Sequence, residues 1–472
     1  MKNKRGMLIT LMLGTGMAAI DSSIVNVSLP VIRQRFGADV ADVEWVITAY
    51  MIAFCLFIPL TDWLKKKIGY YYLFAGSVVI FTAGSLLCSL STSLPLLISA
   101  RIIQAIGGGA ISPTSLAILS ENYPVEERGN AIGWWGIGNV MGPAIGPTLG
   151  GFLTQYLGWQ SIFYVNIPLG LLAIFLIRKY LTFLKEQPVS HPRFDVKGYI
   201  YFSLFIVAVQ FTIAHITTNA LHSWQLWVGL GVSIVSFLAY LSSAQKPDAL
   251  LDLSVFKIAD FNKAAIVITI RSLALYGGLF FIPFLLQGLM GYTELQSGLL
   301  LLPNALMMLV TRPLAGRLAD RGYIKQSSIV GIVLVAFSFY LFSKVDVGVS
   351  VWLILLPMIV RGLGMSLLVA PVSTALLNSV DKTQTATATS LNSLIQQVGG
   401  SAGIAISGVI HGFINAFYIT KGDNATLAEH YALQDGFLIS AFIIAIAILP
   451  AAMLGRKAVA EQKTAENLPA AS

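Results

Sequence analysis

Residues 7–30 read MLITLMLGTGMAAIDSSIVNVSLP. A helix needs about 20 apolar residues to cross a hydrocarbon layer, and this run has that length with one ionisable side chain, Asp21, inside it. Backbone amides left unpaired in lipid are too costly for an irregular segment, so the run reads as a spanning helix. No small-residue cleavage site follows a short apolar core, so it reads as a retained helix rather than a signal peptide. Similar runs recur near 43–62, 70–91, 94–119, 129–155, 161–183, 198–218, 224–244, 263–288, 295–314, 326–343, 351–379, 388–417 and 434–455. Fourteen spans of about 20 residues leave no room for a sizeable soluble domain. The composition agrees: 56% of the 472 residues are hydrophobic and 11% charged, where a soluble domain has about a quarter charged. The expected fold class is an all-α polytopic membrane protein, embedded in a lipid bilayer. Cys55 and Cys88 both lie inside apolar runs, so neither a disulfide nor a metal site is expected.

The net charge of +8 is an orientation signal rather than a nucleic-acid signal. With the N-terminus inside, the cytoplasmic segments hold 23 Lys and Arg, the opposite side holds 4, and Arg101, Arg271 and Arg361 fall within spans. That asymmetry places both termini in the cytoplasm. Two segments also recur in order. DWLKKKIG at 62–69 is matched by GRLADRG at 316–322, and QAIGGGA at 104–110 by RGLGMSL at 361–367, at offsets of 254 and 257 residues. A duplicated bundle with a site between its halves is a recurring transporter plan. The expected organisation is a six-helix bundle over 1–183, a linker and two inserted helices over 184–262, and a second six-helix bundle with a tail over 263–472.

An ionisable group deep in a span is expensive and is read first as functional. Asp21 and Arg101 fall at similar depth, about 13 and about 10 Å from the outer ends of their spans, and are expected to pair. A carboxylate whose surroundings alternate between wet and dry can carry a proton; a static ion pair is the competing reading. Arg271 and Arg361 have no acid in their own spans, so each binds carbonyls and amides or faces a polar or anionic ligand. Asn26, Gln104, Asn139, Tyr276, Gln287, Asn304, Asn392 and Gln396 complete the candidate cavity residues, with interhelical hydrogen bonding as the plainer account of the amides. His215 and His411, near span ends, are read as satisfied or solvated side chains. Span 5 carries GIGNVMGPAIGPTLGG at 136–151. Gly138, Gly142, Gly146 and Gly150 are four apart and line one face, allowing close helix approach. Gly151, Pro143 and Pro147 add to a bent, tightly packed helix suited to a hinge.

No GxxxxGK[ST], HExxH or GxSxG is present, so ATP hydrolysis, zinc hydrolysis and serine hydrolysis have no motif to rest on. No metal and no cofactor is expected, and uphill transport would draw on an ion gradient.

Together these residues resemble the fourteen-span drug:proton antiporter branch (EmrB/QacA type) of the major facilitator superfamily. IDSSIVNVSLP at 20–30 is similar to the branch's LDxTIVNVALP, RIIQAIGGGA at 101–110 to RxxQGxGxA with Ala105 at the first glycine, span 5 to GxxxGPxxGG, and YLGWQSIFYVNIPLG at 156–170 to the branch's entry into span 6. The resemblance implies the superfamily fold of two six-helix bundles plus two extra helices. It gives Asp21 and Arg101 a role in proton coupling, the span 5 glycines and prolines the antiporter motif, and the protein no enzymatic activity. It also implies a bacterial cytoplasmic membrane location, small-molecule substrates and, in a two-membrane cell, a periplasmic adaptor docked outside, for which the outer segment 417–433 is the candidate. The loop motif GxLADRxGRK departs in its first copy, with Asp62 at the glycine position and Lys66 at the aspartate position. The second copy keeps Gly316, Asp320 and Arg321, with Arg317 at the variable position as a further gating-loop candidate, and is expected to carry more of the gating. The leading reading is a proton-coupled multidrug efflux transporter. A dedicated exporter of one metabolite is the runner-up, and a membrane-bound enzyme or sensor is the alternative of another class.

Overall fold

The computed structural model describes residues 3–38, 40–186, 190, 193–214, 224–244, 249–346 and 348–454. Its helices are α1 (Lys4–Phe36), α2 (Val40–Phe57), α3 (Leu60–Ser89), α4 (Leu94–Asn122), α5 (Val125–Leu157), α6 (Ser161–Tyr164), α7 (Asn166–Tyr180), α8 (Val196–Ala214), α9 (Trp224–Ser243), α10 (Ala259–Pro283), α11 (Glu294–Asp320), α12 (Ile324–Phe342), α13 (Trp352–Asn378), α14 (Thr385–Thr420), α15 (Ala425–Ile446) and α16 (Ile448–Ala452). Single residues separate α6 from α7 and α15 from α16, so each pair forms one pass and the chain makes fourteen. Among the described residues, eleven helical segments are long and apolar enough to span a membrane, and Trp45–Phe57 and Val196–Thr212 are shorter apolar helices. The remaining pass is α5, which is 33 residues long but glycine-rich.

Helices α1 to α7 pack chiefly on one another, led by α1 on α5 and α3 on α4. Helices α10 to α16 do the same, led by α12 on α13, α11 on α13 and α10 on α14. The pair α8–α9 packs on itself and touches α2 and α14. The two halves meet where α5 lies along α11 and α14 crosses α4. A small apolar cluster of Ile20, Ile24, Val46, Leu97, Ala100, Ile162 and Phe163 fills the outer part of the first half.

Two connections predicted as loops are helical. The 62–69 motif lies within α3, which turns at Gly69 with φ 75°, a conformation that favours glycine. The 417–433 segment is mostly helix: α14 runs to Thr420, Asn424 caps α15 by accepting from the Leu427 amide, and only 421–424 turn between them. Both stretches are polar enough to interrupt a hydropathy reading, yet their backbone stays hydrogen-bonded as the helices emerge from the apolar layer.

Candidate functional site

Helix α1 places Asp21 against α4, where Arg101 and Gln104 lie one turn apart on one face. Asp21 is 0% exposed and Arg101 1%. Arg101 Nη1 donates to Asp21 Oδ2 at 2.6 Å. The other carboxylate oxygen accepts from Gln104 Nε2 and from Asn166 Nδ2, both at 2.8 Å. Asn166 is the first residue of α7. Gln104 Oε1 takes a second hydrogen bond from Arg101 at 2.6 Å, and Ser85 of α3 accepts from both Gln104 (2.6 Å) and Asn166 (3.2 Å). Arg101 is held from its far side by the Val46 carbonyl at 3.3 Å and by the Tyr50 ring, 3.9 Å from the guanidinium. The buried carboxylate therefore has three donors from two helices, which is how a charge survives in apolar surroundings. Asn166 Oδ1 has no donor.

The glycines of α5 explain the rigid placing of Asp21. A methyl added to Gly138 would meet the Met12 carbonyl at 2.7 Å, and one on Gly150 the Ile24 carbonyl at 2.8 Å. At Gly142 and Gly146 it would run into the Ala19 carbonyl and the Ser23 hydroxyl. These neighbours surround Asp21 on α1, so the predicted glycine stripe seats the very stretch that carries the acid. Ser23 completes the seam by donating to the Gly142 carbonyl at 2.7 Å. A second glycine face of α5, not anticipated from sequence, meets the other half. Gly129 packs on Gly316 of α11, and Gly133 and Gly136 pack on Arg312.

The cytoplasmic ends of the halves are tied by charged and polar groups. Asp320 accepts from the amides of Gly129 (2.6 Å) and Asn130 (2.8 Å), and Arg128 donates to Asn378 at 2.5 Å. Asp62 accepts from Lys66 and from Thr387 of α14, both at 3.0 Å, and Thr61 bonds Ser390 at 2.7 Å. Both copies of the duplicated motif thus bridge the halves. Arg317 and Arg321 are exposed and join none of these contacts.

In the second half the buried basic groups stand apart from acids. Arg271 on α10 is 2% exposed, Arg312 on α11 6% and Arg361 on α13 1%. Arg312, two residues before the end of the 295–314 run, was counted by sequence with the cytoplasmic Lys and Arg; it is buried, with eight residues of α11 still to follow it to Asp320. It donates to the Gly136 carbonyl, and Arg361 Nη2 to the Leu275 carbonyl at 3.3 Å.

The chain was compared with known proteins. The Major Facilitator Superfamily profile matches residues 11–404. The chain belongs to the major facilitator superfamily. Among superfamily relatives, the multidrug resistance protein B homolog of Mycobacterium tuberculosis is 33% identical over 84% of this chain and 74% of its own length. The multidrug export protein EmrB of Escherichia coli is 29% identical over 85% and 79%. The crystal structure of the human organic anion transporter MFSD10 (TETRAN) superposes with a TM-score of 0.66 at 13% identity, covering 94% of this chain and 100% of that one, which establishes the shared fold. The chain is an integral membrane transporter of this superfamily.

Within the superfamily fold the other predicted cavity residues divide. Tyr276 packs on Gly400 of α14 and is 41% exposed. Asn304 and Asn392 each bury an oxygen without a donor, and Gln396 donates to the Asn392 carbonyl at 3.3 Å. Gln287 is exposed on the π-helical turn Phe284–Leu289 that extends α10, away from the buried network. Asn139 is half-buried on α5. The side chains of Asn26, Pro143 and Pro147, and the whole of His215, lie outside the described residues. His411 pairs with Glu429 at 3.2 Å, far along α14 from the inner contacts. Asn166 and Arg312 are the site residues that sequence reasoning missed. Asn166 stood within the quoted span 6 segment, but nothing in its own span marks it as a neighbour of Asp21.

Proposed function

We propose that this superfamily member is a proton-coupled multidrug efflux transporter of the bacterial cytoplasmic membrane, exporting lipophilic or amphipathic compounds by alternating access. The observation that carries the reading is the wholly buried Asp21 carboxylate, held by Arg101, Gln104 and Asn166. The export names of the two bacterial relatives support the substrate class. The proton is the coupling ion, no cofactor is involved and the protein is not an enzyme. In a two-membrane cell a periplasmic adaptor completes the export route.

The chemistry follows from the hydrogen bonds. With Asp21 ionised, α1 is tied to α4 and α7. A proton on Asp21 cancels the charge that all three donors serve. Arg101 keeps the Val46 carbonyl and the Tyr50 ring, so it remains seated while α1 loosens. Helix α1 carries α5 with it through the glycine seam, and α5 bears on α11 at the cytoplasmic contact. Proton and substrate are coupled when each favours a different arrangement of this linkage. The test is accumulation of neutral and charged lipophilic dyes in proteoliposomes under an imposed pH gradient. Gradient-driven accumulation by the wild type and its loss in Asp21→Asn are expected; an Asp21→Asn protein that transports normally would refute the coupling assignment.

A further inference from the structure

Three arginines are buried in the second half with no acidic partner among the described residues, and two of them, Arg271 and Arg312, lie close to one another. Arg361 reaches the backbone of α10 at Leu275, one turn from Arg271. Arg271 and Arg312 lie within electrostatic reach of each other and of the Tyr276 hydroxyl. Their depths above the cytoplasmic helix ends rise in a ladder, from about 12 Å for Arg312 to about 18 Å for Arg271 and about 25 Å for Arg361. Each has a buried Nε without a hydrogen-bond partner, and Arg361 has an unpartnered Nη1 as well. Buried guanidinium groups are normally paired. Tyr276, beside Arg271 and Arg312, is 41% exposed.

The internal repeat sharpens the point. An offset of 257 residues matches Arg361 with Gln104, a direct donor to Asp21. Offsets of 254 to 257 carry Asp21 itself onto 275–278, where the residues are Leu275, Tyr276, Gly277 and Gly278. Arg361 does reach that stretch, but it finds only a backbone carbonyl. The place that holds a carboxylate in the first half holds none in the second.

We infer that Arg271 and Arg312, with Tyr276 beside them, form a subsite for the anionic headgroup of the transported molecule, a carboxylate, sulfonate or phosphate on an apolar body. The bidentate fork of a guanidinium suits such groups, and Tyr276 supplies an aromatic wall. The inference rests on the efflux reading for the word "transported", while binding itself needs no gradient.

The experiment uses two dyes that differ only in charge, 8-anilinonaphthalene-1-sulfonate and neutral N-phenyl-1-naphthylamine. Saturable binding of each to the purified full-length protein is followed by fluorescence without a pH gradient. The wild type should bind the sulfonate about tenfold more tightly than the neutral dye. Arg312→Gln and Arg271→Gln should each remove that preference while leaving the neutral dye bound, and Arg271→Lys should keep part of it. Equal affinities in the wild type would overturn the inference. So would an unchanged preference in the Gln variants, or equal loss of both dyes, which would make the arginines purely structural. Replacing gluconate by chloride at constant ionic strength separates a substrate headgroup from a resident inorganic ion. Preference retained in chloride supports the headgroup; preference abolished by chloride overturns it. Gradient-driven transport of the neutral dye, measured separately, tests the efflux reading, so each reading fails by its own measurement.

Discussion

Arg101 and Arg361 are each 1% exposed, in helices that the internal repeat places in equivalent positions, and they have opposite surroundings. Arg101 shares a carboxylate with two amide donors and lies against an aromatic ring. Arg361 has one carbonyl acceptor, the Phe339 ring 5.7 Å from its guanidinium, and two nitrogens without a hydrogen-bond partner. Equal burial in one fold therefore yields two kinds of site. The first half satisfies its charge internally. In the second half Arg361 keeps its charge without an acidic partner among the described residues.

The difference is open to direct attack. The largest effect is expected from breaking the first-half pair. Arg101→Leu alone strands a buried carboxylate and should cost about 3–5 kcal/mol, whereas Arg101→Leu combined with Asp21→Asn should recover much of the loss. Thermal unfolding of the singles and the double measures this, and equal losses in all three would remove the claim that the two groups depend on one another. Asn166→Ala should cost about 1.5–3 kcal/mol, the range for a hydrogen bond to a charged group. It should also shift the pH profile of gradient-driven transport, because one donor to Asp21 is gone; an unmoved profile would make Asn166 a packing residue. Gly142→Ala should cost about 1–3 kcal/mol through overpacking, since the added methyl meets the Ala19 backbone rather than a side chain that can rotate. The smallest effect should be Arg361→Met. Replacing an unpaired buried charge by an apolar group of similar length is close to neutral or stabilising, so the melting temperature should hold or rise. A loss as large as that of Arg101→Leu would show a hidden partner for Arg361 and erase the contrast.

Much of this was legible in the chain itself, for reasons that can be named. The depth of Asp21 and Arg101 follows from span ends and helical rise, so their pairing at 2.6 Å was foreseeable. The glycine stripe of α5 was readable as a close-packing face because four-residue spacing needs no knowledge of the partner. Which helix it meets was not readable, since periodicity carries no tertiary address. Arg312 was counted with the cytoplasmic residues because it stands two residues from the end of the 295–314 run, whereas the helix continues to Asp320 and leaves it buried. Gln287 was read as a cavity candidate because a polar residue within a span invites that reading; it is exposed on the π-helical turn Phe284–Leu289. The departure of the first loop motif from its family pattern suggested a weakened contact. Asp62 instead keeps one by bonding Thr387 across the halves, a partner that no local sequence feature announces.

The two glycine faces of α5 carry one more consequence. Where helices meet through side chains, rotamers can absorb small displacements. Where they meet backbone to backbone, as at Gly142 with Ala19 and at Gly129 with Gly316, nothing at the contact is soft. Close-packed interiors are poorly compressible and pass strain on. Helix α5 is therefore a linkage without slack: a sub-ångström shift of α1 beside the acid has no local sink, and has to reappear at the cytoplasmic seam some 20 Å away, as the 13 residues from Gly129 to Gly142 place it.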